Sequence, residues 1–124
     1  MSNPGLIKTH ISDGAIGKFR IVAQGASDGT VKQGTSGTDS LLGTTEGFAY
    51  VAGDRPSIVR SGIADVEYGG VVTRGAPLTS DASGRAIVAA PAVGVNMRTI
   101  GFAEVSGVVG DIGSVLVAPN QIQG

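Results

Sequence analysis

The chain carries one histidine, His10, and it stands beside Ser12 and Asp13. These are the residue types of a nucleophilic triad, where a base takes a hydroxyl proton and a carboxylate orients the base. That chemistry needs its groups held rigidly within hydrogen-bond reach, usually by elements distant in sequence. Near-contiguous residues on a short, Gly-flanked segment do not meet the requirement, so solvated side chains are the expectation. The carboxylates Glu46, Glu104, Asp54 and Asp111 are the other candidates, because a pair of them can act as general acid and base. Asp54 and Asp111 each follow a glycine, where an aspartate caps a turn by accepting backbone N–H groups. Glu46 and Glu104 lie among apolar and small residues. They read as contact or ion-pair residues, with Arg20, Arg60, Arg74 and Arg98 as available partners. The acidic spacing matches no calcium loop.

Glycine-rich stretches invite a phosphate-binding reading. Gly107, Gly110 and Gly113 recur every third residue, which is not the G-x-G-x-x-G pattern, and a β pattern follows where a helix should begin. Gly17-Lys18 leads into Phe19, so there is no P-loop either. These are turn glycines. With no cysteine there is neither a disulfide framework nor a thiolate metal site. No cofactor is expected, and no enzyme.

What must position these residues is a β-rich body. At 124 residues the chain is one domain's worth. Leu, Ile, Val and Phe total 33 residues, enough for a packed aliphatic core, and Gly contributes 21, implying many tight turns between short strands. Net charge is −1 with neither sign clustered, which disfavours a nucleic-acid partner. No stretch reaches the length of a membrane span, and no apolar signal-peptide core is present, so a soluble protein made in the cytosol is expected.

Strands are expected around Phe19–Ala23, Thr30–Lys32, Phe48–Val51, Ser57–Arg60, Val71–Thr73, Arg85–Ala89, Ile100–Val105 and Ser114–Val117, separated by Gly, Ser, Thr and Asp-Gly connectors. No segment carries a helical apolar stripe. The fold class is therefore all-β, a small Gly-rich β-barrel or sandwich. The pattern also repeats. Gly43 and Glu46 recur as Gly101 and Glu104, 58 positions on, and Gly53-Asp54 recurs as Gly110-Asp111, 57 on. Fainter matches pair Gly25-Ala26 with Gly75-Ala76, Ser27-Asp28 with Ser80-Asp81, and Val31 with Ile87. The expected organisation is a flexible, extended N-terminal arm over 1–17, one β domain over 18–118 with pseudo-repeats at about 18–60 and 68–117, and a C-terminal tail over 119–124.

The run Glu67-Tyr68-Gly69-Gly70, then Thr73-Arg74-Gly75-x-Pro77-Leu78-Thr79-Ser80-Asp81-x-x-Gly84-Arg85-Ala86, resembles the capsid decoration (cement, head-stabilising) proteins of tailed bacteriophages. Ile100–Ala103 with Gly110–Val115, and Gly5–Thr9, resemble them too, so the likeness spans essentially the whole chain. It implies a virion protein, made in the host bacterial cytoplasm, on the outer surface of an expanded icosahedral head. There it would bind the major capsid protein and cement neighbouring subunits against DNA pressure, as a homotrimer at threefold or quasi-threefold positions. It would touch neither nucleic acid nor membrane. Leu6, Ile7, Lys8 and Ile11 are the candidate capsid-binding residues of the arm, by addition to a capsid strand edge. Glu46, Tyr68, Gly69, Gly70 and Glu104 are candidate subunit contacts, the paired glycines because they permit close backbone approach. Two alternatives are a trimeric receptor- or glycan-binding virion module and a small carboxylate hydrolase.

Overall fold

A computed structural model describes residues 3–124, and among them every regular element is a β-strand. In chain order these are β1 (Asn3–Pro4), β2 (Ile7–Thr9), β3 (Ile11–Ser12), β4 (Ile21–Gln24), β5 (Thr30–Gln33) and β6 (Leu41–Thr44). Then follow β7 (Ser57–Val59), β8 (Gly62–Glu67), β9 (Pro77–Ser80), β10 (Ala86–Val88), β11 (Asn96–Ala103) and β12 (Ile112–Gln123). They form two six-stranded sheets, ordered β2-β7-β6-β4-β5-β3 and β1-β8-β12-β11-β9-β10. The all-β expectation holds.

The two sheets are two copies of one unit. In the first, β4 pairs with β5 and β6, and β6 with β7; in the second, β9 pairs with β10 and β11, and β11 with β12. Registers correspond residue by residue. Ile7↔Val59 and Thr9↔Ser57 match Ile63↔Leu116 and Asp65↔Ser114. Ile21↔Thr44 and Val22↔Gly43 match Pro77↔Phe102 and Leu78↔Gly101. Even the close approaches recur: a Cβ on Gly43 would strike the Val59 carbonyl, and one on Gly101 the Leu116 carbonyl.

This correspondence moves the start of the first unit. The segment expected as a flexible arm is extended, but it is bonded into the body. Residues 3–9 run antiparallel to 57–63, β1 on β8 and β2 on β7, with Gly5 N–H donating to Ser61 at 2.9 Å and Arg60 N–H to Leu6 at 2.7 Å. The strands β2 and β3 are equivalent to β8 and its continuation at Tyr68. The physical reason is that an edge of each sheet offers free N–H and C=O groups, and the segment's own backbone satisfies them. Residues 1 and 2 of the expected arm lie outside the described residues. The expected tail is likewise paired, since β12 runs on to Gln123 against Asn96 and Gly124 N–H donates to Val95 at 3.0 Å. Of the fainter matches, β5 does correspond to β10, but the registers set Val31 against Ala86 and Lys32 against Ile87, one residue off the expected pairing; Gly25 and Gly75 do not correspond, one following β4 and the other preceding β9.

Each unit curls on itself. Only His10 separates β2 from β3, yet these lie at opposite edges of the first sheet, so the edges must come together. In the second unit β8 passes straight into Tyr68, which bridges in parallel to Ala86 on the far strand. The seams match: Ser12 N–H donates to Asp54 at 2.8 Å, and Tyr68 N–H to Asp111 at 2.7 Å. Gly53 and Gly110 N–H groups return the bond to Ser12 and Tyr68, both at 2.9 Å.

The units stack back to front. The main core joins Ile21, Ala23, Leu41 and Val59 of the first sheet to Val66, Tyr68, Leu78, Ile100 and Val115 of the second. The other face of the first sheet, Val22, Val31, Leu42 and Ile58, closes over its own Ile16 with Tyr50 packed alongside. By the register, those second-sheet residues correspond to this closed face of the first, not to the face they touch. Each fully buried Leu, Ile or Val contributes about 1.5–3 kcal/mol. Backbone bonds also cross the join: Ile21 N–H to Gly84 at 2.7 Å, Glu67 N–H to Phe19 at 3.0 Å, and Arg98 N–H to Gly37 at 2.7 Å.

Candidate binding surfaces

The four residues expected to bind capsid do not line one edge. Leu6, Ile7 and Lys8 lie on or beside β2, the last strand at one edge of the first sheet, and all are exposed. Ile11 lies in β3 at the opposite edge, also exposed. Between them His10 is buried in the seam, not solvated as the sequence suggested. Its backbone N–H donates to Pro56 at 3.1 Å, and Arg60 Nη1 lies 3.4 Å from its Nε2. Burial foremost, then the charges of Arg60 and Lys8, holds the imidazole below its ordinary pKa, with the Gly29 carbonyl pulling the other way. Ser12 is buried as well, and its backbone is committed to the seam.

The stretch with the strongest family likeness is a self-binding node. Tyr68 has no exposed surface, and its hydroxyl donates to the Val105 carbonyl at 2.7 Å. Burial, then the charge of Asp111, raises its pKa. A fully buried ring offers nothing to a partner, which removes Tyr68 from the candidate contacts. Gly69 does permit a close approach, but the group approaching is the chain's own Asp81, whose carboxylate a Cβ would strike. Gly70 sits beside it, with Ile87 in ordinary contact range of a Cβ. Asp81 accepts the Ser83 and Arg85 N–H groups at 2.8 and 2.9 Å and pairs with Arg85 Nε at 3.2 Å. Arg85 reaches Glu67 at 3.8 Å, and Arg20 of the first unit meets the same carboxylate at 3.0 Å. Arg20 is thus partnered by Glu67 and not by Glu46.

Glu46 instead lines a cavity of about 280 Å³ with Phe19, Gly47 and Asp65. Phe19 has φ 56°, a left-handed conformation rare for a bulky side chain, and Glu46 accepts its N–H at 2.9 Å. The corresponding turn in the second unit has Gly75 at φ 90°. Glu104 is exposed, its backbone N–H donating to Ser114 at 2.9 Å. The two glutamates repeat in sequence, but only Glu46 lines the cavity. Among the described residues no three His, Asp or Glu side chains gather in a metal-binding arrangement.

One surface went unread in the sequence. Ile63, Leu116, Phe102 and Pro77 are cross-strand neighbours on the outer face of the second sheet, and Leu116 and Phe102 are 38% and 45% exposed. Ile112 continues this face along β12 toward a turn where Val108 and Val109 are also exposed. The available signal was the near-continuous apolar run of residues 115–117 in β12, which marks a strand covered on both faces.

No family model matches the chain, and no curated protein matches it. Among solved structures, the crystal structure of the head fiber gp8.5 N base in bacteriophage phi29 is similar, with a TM-score of 0.66. The likeness covers 91% of this chain and 93% of that one at 14% sequence identity, and it shows that the two share a fold.

Proposed function

We propose that this chain is a structural protein of a tailed-phage virion, binding the outer surface of the expanded icosahedral head and cementing neighbouring major capsid subunits against DNA pressure. The observation that carries the reading is the fold shared, over nearly all of both chains, with the head fiber base of phi29. The resemblance of residues 64–88 to decoration proteins supports it independently. The reading makes the active form a homotrimer at threefold or quasi-threefold positions, made in the host cytoplasm and carried on the capsid exterior. It assigns the chain no catalytic step, cofactor, nucleic acid or membrane.

A cement needs a stiff body and adhesive edges. The doubled unit gives the stiffness, through two cores and a join bonded by backbone. The adhesive edge is β2. Because its backbone is already ordered on β7, a capsid strand adding alongside it by β-augmentation orders only its own residues, at about 1–2 kcal/mol each. Leu6 and Ile7 present exposed apolar side chains there. Three such edges on one trimer multiply a weak contact through effective concentration.

The test is to mix the purified protein with expanded and unexpanded heads and to count bound copies by cryo-microscopy. Saturable density at threefold positions of expanded heads alone is the expected result. Absence of binding to either form overturns the reading. The Phe19–Glu46–Asp65 cavity favours one second reading, a glycan-binding virion module, since an aromatic face beside carboxylates suits a hydroxylated ring. Binding to a glycan array that is lost in Phe19→Ala would support it over cementing.

A further inference from the structure

We infer that the outer face of the second sheet, centred on Phe102 and Leu116, is the surface by which copies of this chain associate with one another. The molecule itself displays what covers such a face. Ile63, Leu116, Phe102 and Pro77 of the second unit are equivalent to Ile7, Val59, Thr44 and Ile21 of the first. Val59, Thr44 and Ile21 are wholly buried, and what buries them is the second unit. The corresponding face of the second unit has no unit left in the chain to cover it.

Its composition points the same way. A copy turned to solvent has no physical need for aromatic or aliphatic residues, yet the exposed copy is the more apolar one, with Phe102 where the buried copy has Thr44. Beyond Ser114 on the same strand, Ile112 and then Val108 and Val109 at the adjacent turn add further exposed apolar side chains, and exposed apolar surface on this scale marks a protein contact. The occupant is a second copy because the equivalent face of the first unit is covered by another unit of the same chain. This inference rests on the proposed assembly into trimers and supplies its surface.

Sedimentation equilibrium of the full chain across micromolar concentrations tests it, with Phe102→Asp and Leu116→Asp beside Val93→Asp, a control at a loop position 96% exposed. Wild type and Val93→Asp should sediment above the 12.3 kDa monomer. The two face variants should associate at least about tenfold more weakly with unchanged circular dichroism, as expected on removing an interface anchor. Phe102→Thr, which restores the residue of the first unit, gives the same readout should an aspartate disturb folding. Face variants that associate like wild type overturn the inference and leave the trimer intact. A wild type that stays at 12.3 kDa overturns association of the free chain through this face, while assembly on the head is read separately by the cryo-microscopy count.

Discussion

Asp54 and Asp111 hold the same bond in two places: each carboxylate accepts the N–H of the residue three earlier, Val51 or Val108, at 2.9 Å. The return bonds, Asp54 N–H to Val51 and Asp111 N–H to Val108, are both 3.1 Å, and the intervening Gly53 and Gly110 have φ 89° and 88°. Each turn also feeds a seam, so its loss loosens closure of one unit. Asp54→Ala and Asp111→Ala are each expected to cost about 1 kcal/mol. Urea midpoints at constant m-value check this.

Gly43 and Gly101 admit no side chain, because a neighbouring strand's carbonyl fills the Cβ position in both. Gly101 adds a φ of 154°, where L-residues are strained. Gly43→Ala and Gly101→Ala should each destabilise by about 3 kcal/mol through backbone overpacking. Gly47→Ala, which would meet only the Phe19 ring at 3.6 Å, should lie within about 0.5 kcal/mol of wild type in the same thermal melts.

Thr44 is buried between the units and its hydroxyl has no hydrogen-bond partner. An unpaired buried hydroxyl carries a desolvation penalty with nothing to offset it. Thr44→Val should therefore raise stability by about 1 kcal/mol. A lower denaturation midpoint would show that the hydroxyl is satisfied in solution.

His10 makes stability depend on pH in one direction. Its folded pKa lies below the ordinary 6.5, so both states are neutral above that value and the group contributes no slope there. Below about 6.5 the unfolded chain takes up the proton first, and stability falls with pH until the folded imidazole also protonates. His10→Gln should flatten the profile between pH 7 and the folded pKa. Chemical denaturation at stepped pH measures it, and an unchanged slope would reassign the effect to other groups.

Leu6 and Ile7 are exposed in the free protein, so Leu6→Asp with Ile7→Asp should leave the melting temperature nearly unchanged. The same pair should lower head occupancy at least about tenfold if β2 is the adhesive edge. Deleting residues 2–12 is a different experiment. It removes three edge strands and a seam, and should abolish cooperative unfolding instead of yielding a folded body without its arm.

What could be read from the sequence was what local chemistry decides. Gly53-Asp54 and Gly110-Asp111 announced their turns because glycine supplies the positive φ and aspartate the acceptor, within four residues. The repeat was visible at these points and at Gly43 and Gly101, where geometry tolerates one residue type. The fate of residues 7–12 was hidden because β2 and β3 have three and two residues, too few for alternation to register. Tyr68 looked available because a Gly-Gly pair follows it, yet those glycines make room for Asp81. Phe102 and Leu116 were missed for a non-local reason: whether their face is buried depends on which unit stacks against it.

The seam at His10 also sets an order of events. Residues 7–9 leave the ribosome long before 57–59, with which they pair, so the first unit cannot close until some fifty further residues have emerged. Its early strands must wait open-edged through that interval, when loop-closure entropy is unrewarded and unpaired edges are most prone to join a neighbouring chain. The second unit faces the same interval between β8 and β12, but β8 meets a first sheet already able to cover its inner face. Translation speed across residues 10–60 thus sets how long those edges stay open.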